Sequence, residues 1–296
     1  MAKIGFIGLG NMGLPMAGNL VKGGHQVTGF DSFAASLDKA EAKGVRRASS
    51  AADAVRGAEM VVTMLPAGKD TLAVYETSGV MQAATAGTLF IDSSTIDVAS
   101  ARRAHQIAAA ANMAALDAPV SGGVGGAEAA SLTFMTGGAL AAFERAKPVL
   151  AAMGKKIVHC GEAGAGQSAK ICNNMLLAVS MIGACEAFAL AEKLGLSHQA
   201  LYDVVATSSG QCWAVTSYCP VPGPVPTSPA NKDYKAGFAS ALMLKDLKLA
   251  QQAAAGAGAA TPLGAAAAQL YGMHNARGEG SLDFSAIMHL IDGKPA

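Results

Sequence analysis

Charge is scarce in this chain. Only 15% of its 296 residues are Lys, Arg, Asp or Glu, and 22 basic side chains meet 21 acidic ones for a net charge of +1. With 51% hydrophobic residues, this composition supports a sizeable core and excludes a disordered chain. It offers no basic stripe, so nucleic acid is not an expected partner. Cysteine is thin as well. The five, at 160, 172, 185, 212 and 219, form no C-x-x-C pair, which leaves no basis for a disulfide framework or a zinc knuckle. They read as reduced core residues of a cytoplasmic protein. No H-E-x-x-H or other cluster of ligands occurs, so no metal is expected. The six histidines stand apart from one another, no Tyr-x-x-x-Lys spacing occurs, and Gly161-x-x-x-x-Gly166-Gln167-Ser168 lacks the lysine of a phosphate loop. The chain runs into a strand from Lys3, so no targeting segment is expected. Gly256, Gly258 and Pro262 interrupt the alanine-rich run Ala253–Leu270, and no membrane span is expected there.

What is present organises around Gly164–Leu196. Glycines open this stretch and Gly195 can close it, with Ala, Leu, Met, Lys and Glu between and no proline. The pattern predicts one helix about 40 Å long, enough to join two domains. Near its start Lys170, Asn173 and Asn174 share a face at i, i+3 and i+4. An amine and two amides on an apolar helix need partners. They are either a solvated first turn or a site where a lysine moves a proton and an amide orients a substrate.

The first half alternates strand and helix. Lys3–Gly8 is a short apolar strand leading into Gly8-Leu9-Gly10-Asn11-Met12-Gly13, which fits G-x-G-x-x-G. A helix at Leu14–Gly23 and a strand at Gln26–Phe30 follow, and Asp31 ends that strand about 20 residues beyond the loop. With strand, helix and acid all in place, the motif predicts a dinucleotide site. Its glycines let a pyrophosphate approach the helix N-terminus. Asp31 points to NAD. Its carboxylate can hold the ribose hydroxyls, and it would repel a 2′-phosphate about 4 Å away by roughly 4 kcal/mol per unit charge. Strands at Met60–Leu65 and Thr88–Asp92 follow, and ligands of parallel sheets sit beyond the carboxyl ends of strands. Leu65, Pro66 and Thr95 are therefore expected to face the cofactor. A strand at Ala114–Val120 runs into Ser121-Gly122-Gly123-Val124-Gly125-Gly126, read either as an anion nest or as a flexible glycine turn. After Gly195 the pattern is helical, interrupted by Cys219–Lys232 with its five prolines. A loop of that length is expected to cover the active site or wrap a partner subunit.

Four motifs in order, Gly5-Phe6-Ile7-Gly8-Leu9-Gly10-Asn11-Met12-Gly13, Asp117-Ala118-Pro119-Val120-Ser121-Gly122-Gly123, Gly164-x-Gly166-x-x-x-Lys170-x-x-Asn173-Asn174 and Lys245-Asp246-Leu247, resemble the β-hydroxyacid dehydrogenase family across essentially the whole chain. The resemblance implies an α/β fold: a Rossmann-type N-terminal domain (1–163) and an all-α C-terminal domain (164–296) joined by the long helix (164–195). It implies Lys170 as catalytic acid/base and Ser121, Gly122, Gly123 and Asn174 as the holders of substrate. Trp213 and Phe238 would wall the pocket, and Lys245 and Asp70 would reach the cofactor. Asn231-Lys232-Asp233-Tyr234 departs from the family's Asn-Asn-Tyr. The activity implied is NAD-dependent oxidation of a small 3-hydroxy acid, 3-hydroxyisobutyrate to methylmalonate semialdehyde in valine catabolism, by a homodimer or homotetramer. The alternatives are a dehydrogenase for serine or 3-hydroxypropionate, an NADPH-dependent semialdehyde reductase, and a non-catalytic NAD-binding scaffold. A neutral lysine base near pH 7 requires about 4 kcal/mol of bias against its ammonium form.

Overall fold

The computed structural model describes residues 1–293. Among the described residues nine strands form one sheet: β1 (Lys3–Ile7), β2 (Gln26–Phe30), β3 (Arg46–Arg47), β4 (Met60–Thr63), β5 (Leu89–Asp92), β6 (Ala114–Asp117), β7 (Val120–Ser121), β8 (Leu132–Gly137) and β9 (Gly154–Gly161). The order is β3-β2-β1-β4-β5-β6-β8-β7, with β9 on β8. The first six are parallel. β8 runs antiparallel to β6 and β7, and parallel to β9.

The apolar strand runs have a simple cause: both faces of the sheet are covered. Along β1, β4 and β5, Ile4, Phe6, Met60, Val62, Leu89 and Ile91 enter one apolar layer, and Ile7, Val61 and Phe90 enter the other. Each such side chain, fully buried, contributes about 1.5–3 kcal/mol. The chain steps outward from β1 to β3, then returns to place β4 on the other side of β1. That reversal opens a crevice beyond the carboxyl ends of β1 and β4, which is where such sheets bind dinucleotides.

The chain divides into two compact units, Met1–Lys170 and Ile171–Ala296. The division falls inside the Ala165–Lys193 helix. Gly195 (φ 80°) stops this helix, with the Leu196 N–H donating to the Ala191 carbonyl at 2.9 Å. The helix is long and apolar enough to cross a membrane, but half of its most apolar window is buried inside the protein. In the second unit Ala178, Met181, Ile182, Cys185 and Phe188, at i, i+3, i+4, i+7 and i+10, pack with Met243, Leu247, Tyr271, Phe284 and Ile287. The opposite side exposes Leu176, Leu190 and Leu194.

Cys219–Lys232 is neither helix nor strand until the 3-10 turn Pro229–Lys232, yet it is tied to its own unit. Cys219, Val221, Val225 and Ser228 are buried. Tyr234 Oη donates to the Pro220 carbonyl at 2.6 Å, and Asn231 accepts from the Gly223 N–H and donates to the Val225 carbonyl, both at 2.9 Å. Asn231 of the departing motif is thus a staple of this loop.

Candidate active site

The glycine loop is built as its spacing predicts. Gly8 has φ 95°, and a Cβ there or at Gly13 would run into the Met64 or Gly8 carbonyl. Gly10 differs, because a Cβ there would meet nothing within 4 Å. Two glycines close the turn and the middle one borders open space at the helix start, which suits the approach of a pyrophosphate. Asn11 and Met12 complete the loop, and Leu14 N–H donates to the Gly10 carbonyl at 2.9 Å as the Gly13–Lys22 helix begins. Asp31 is fixed beside it: Oδ2 accepts the Leu9 N–H at 2.7 Å and Oδ1 the Phe33 N–H at 2.9 Å. Buried Asn19 on the same helix donates to the Ala127 carbonyl at 2.6 Å. It ties the dinucleotide helix to the second glycine cluster.

At the end of β5 the chain turns polar. Asp92 is fully buried, with Oδ1 accepting from Thr63 Oγ1 at 2.7 Å and Ser94 Oγ at 2.5 Å. Ser94 Oγ in turn accepts the Leu65 N–H at 2.8 Å, so Asp92 sets the Leu65-Pro66 turn through a serine. Burial pushes the Asp92 carboxyl up to about 6, against the hydrogen bonds from Ser94 and Thr63. Its Oδ2 and the Tyr75 hydroxyl are buried without a hydrogen-bond partner. Leu65 and Thr95 are half-buried and Pro66 is exposed beyond the same strand ends. Asp70 lies in the first turn of the Gly68–Thr77 helix.

The second glycine cluster corrects one expectation. The cluster is not a loop throughout: Gly123–Glu128 is a short helix. Gly122 and Gly123, at φ 133° and 62°, turn the chain out of β7 into it, and Ser121 pairs with Thr133 of β8. Similarly, Ala114–Val120 is not one strand. Pro119, lacking an N–H, separates β6 from β7.

The long helix starts against the ends of β6 and β8. A Cβ on Gly166 would lie 2.6 Å from the Asp117 carbonyl oxygen and closer to that of Met135, so only glycine allows the approach. Asp117 caps the start. Oδ1 accepts the Gly164 N–H at 2.8 Å and meets His105 Nε2 at 3.0 Å, while Oδ2 accepts the Gln167 N–H at 2.9 Å. Burial pushes its carboxyl up, but His105 and the two N–H groups outweigh that and hold it below the usual range. Lys170, buried, follows one turn after Gln167. In the sequence Asp117 is visible only within a motif, and Gln167 only as a residue opening the long helix where a phosphate loop would carry lysine. Acid at the end of a buried strand and amide in the first turn of an apolar helix were the available signals.

In the second unit Asn174 is buried, donating to Asp246 Oδ2 at 2.6 Å and accepting from Asn173 Nδ2 at 3.0 Å. Asp246 and half-buried Lys245 sit on the Ser240–Ala257 helix. Trp213 stacks on Tyr218 at 4.8 Å, and Phe238 meets Phe284 edge-on at 5.8 Å. The Tyr218 hydroxyl donates to Asp283 Oδ2, which also accepts the Gly237 and Phe238 N–H groups.

Comparison with known proteins agrees with this architecture. Residues 3–161 match the profile of the NAD binding domain of 6-phosphogluconate dehydrogenase, and 164–291 that described as NAD-binding of NADP-dependent 3-hydroxyisobutyrate dehydrogenase. A solved Mycobacterium tuberculosis 3-hydroxyisobutyrate dehydrogenase, described with L-serine, is 55% identical with a TM-score of 0.95, covering 98% of this chain and 99% of that one. Two Pseudomonas aeruginosa proteins are also similar. A 3-hydroxyisobutyrate dehydrogenase is 48% identical (99% of this chain, 100% of the relative), and an NAD-dependent L-serine dehydrogenase is 46% identical (99% and 98%). With both halves matched and such identity across nearly its full length, the chain belongs to the 3-hydroxyisobutyrate dehydrogenase family of hydroxyacid oxidoreductases.

Proposed function

We propose that this protein oxidises 3-hydroxyisobutyrate to methylmalonate semialdehyde with NAD, using Lys170 as general base, in the breakdown of valine. The observation that carries the reading is the anchorage of the Lys170 helix. Asp117 and Gln167 fasten its first turn to the strand ends that also bear the Leu65-Pro66 and Thr95 segments. In this reading the lysine works at the crevice in which Gly8, Gly10, Asn11, Met12, Gly13 and Asp31 would hold the dinucleotide. A bound nicotinamide supplies the hydride acceptor.

The chain's own groups do the rest. Ser121 with the Gly122 and Gly123 N–H groups takes the substrate carboxylate, which orients the alcohol carbon. Buried Lys170, in its neutral form, accepts the hydroxyl proton as the carbonyl forms, and its ammonium returns a proton in reduction. Asn174 keeps one amide hydrogen beyond its bond to Asp246 and can hold substrate oxygen. NAD over NADP follows from Asp31, whose carboxylate both backbone bonds keep in place against a 2′-phosphate.

L-serine is the second reading, favoured by the serine described with the 55% identical relative and by the 46% identical serine dehydrogenase. Both substrates share a carboxylate and a primary alcohol and differ at carbon 2, which carries a methyl in 3-hydroxyisobutyrate and an ammonium in serine; 3-hydroxypropionate lacks only the methyl, worth about 1–3 kcal/mol. Initial rates on both acids and on 3-hydroxypropionate, with NAD and NADP, test the assignment. Lys170→Met should lower turnover at least a thousandfold on the preferred acid while NAD still binds. Turnover above a tenth of wild type would remove Lys170 from the chemistry. The exposed Leu176, Leu190 and Leu194 favour association of copies of this chain, as a homodimer or homotetramer, which light scattering after size exclusion reads directly.

A further inference from the structure

Gln167 is fully buried and takes no part itself in the proposed proton or hydride transfer. A primary amide there is costly unless both its ends are bonded. Both ends go to one loop. Nε2 donates to the Ser94 carbonyl at 2.7 Å, and Oε1 accepts the Ile96 N–H at 3.1 Å. These two backbone groups flank Thr95. A residue of a parallel strand bonds its neighbour in the same way, on either side of the opposing residue. The Gln167 side chain therefore continues the sheet past the end of β5, beyond its last pair with β6, Asp92 with Asp117. Its main chain is held from the adjacent strand, through the N–H to Asp117 Oδ2 at 2.9 Å. A helix fixed at one residue by main chain and side chain cannot rotate about its axis there. Lys170 follows at i+3 on the same face.

We propose that Gln167 is a positioning residue for hydride transfer: its amide locks the Lys170-bearing turn to the Ser94–Ile96 loop, so that proton acceptor and cofactor-binding loop stay in register. This rests on Lys170 being the proton acceptor. A misplacement of about 1 Å can cost about a hundredfold in rate.

Two variants test it, each compared with active wild type by kcat, KM, the primary deuterium isotope effect on kcat, and thermal unfolding. Gln167→Met keeps the length and loses both bonds. Its kcat should fall at least tenfold, with KM for NAD within about threefold and a larger isotope effect, because the transfer step becomes more nearly rate-limiting. Gln167→Glu keeps the acceptor for the Ile96 N–H and can donate to Ser94 only when protonated. Its kcat relative to wild type should therefore rise as pH is lowered from 9 to 6. A purely structural glutamine would lower the unfolding temperature and leave the isotope effect and the relative pH profile unchanged. That result, or a folded variant retaining more than half of wild-type kcat, overturns the proposal. Should Gln167→Met fail to fold, the pH profile of Gln167→Glu decides alone. Wild type that turns over no 3-hydroxy acid refutes the Lys170 reading, and the positioning role with it; active wild type beside an equally active Gln167→Met refutes only the latter.

Discussion

Replacing Asp92 by Asn should make the protein more stable at pH 8 and leave it little changed at pH 4. Asp92 is a wholly buried carboxyl, pushed up from 3.8 to about 6 chiefly by loss of water. A raised folded value means the folded protein keeps a proton that the unfolded chain has released. Between 3.8 and about 6, stability therefore falls as pH rises, and above about 6 the loss is complete. At about 1.4 kcal/mol per pH unit, the charge costs the fold about 3 kcal/mol at neutral pH. Asparagine removes that charge. Its Oδ1 can keep the bonds from Thr63 Oγ1 and Ser94, and its Nδ2 replaces the oxygen that lacks a partner. The amide must still find an acceptor among buried hydroxyls, so the expected gain is about 1–3 kcal/mol. Urea unfolding at pH 8, 6 and 4, followed by far-ultraviolet circular dichroism with the slope checked for constancy, measures it. An Asp92→Asn variant equally destabilised at all three pH values would show that the carboxylate is not held against its own ionisation.

Gly10→Ala should fold normally and bind NAD at least tenfold more weakly, because its methyl enters open space at the helix start; Gly166→Ala should lose about 2 kcal/mol or more, because its methyl meets two backbone carbonyls. Differential scanning fluorimetry and NAD titration separate the two. Asp31→Asn keeps an acceptor for the Leu9 N–H and loses the charge, so the ratio of kcat/KM for NAD over NADP should fall about a hundredfold or more; an unchanged ratio assigns the preference elsewhere. His274 is held below 6.5, chiefly by burial, with Glu279 opposing and His289 and Arg277 assisting. Its contribution is full above pH 6.5 and is lost as pH falls through the lowered value, so His274→Phe should flatten the acid side of the stability profile.

The sheet was legible because burial on both faces writes itself as apolar runs, and the glycine loop because its three glycines have distinct steric duties. β3 was invisible: two exposed arginines at an edge carry no apolar signal. The Gly123–Glu128 helix was missed because glycine is a poor helix former; in the structure Asn19 of the dinucleotide helix donates to its Ala127 carbonyl. Lys170 and Asn174 stood out as polar groups on an apolar helix. Gln167 stood beside them and gave no hint of its partners, since the Ser94 and Ile96 backbone groups lie far away in sequence and side-chain type does not encode them.

The chain contains one tryptophan, half-exposed and lying flat on Tyr218. An indole stacked in this way carries its own optical signature. Any ligand that disturbs the aromatic pair, whose tyrosine hydroxyl is held by Asp283, would change the intrinsic emission, so binding to the second unit can be followed in unlabelled protein.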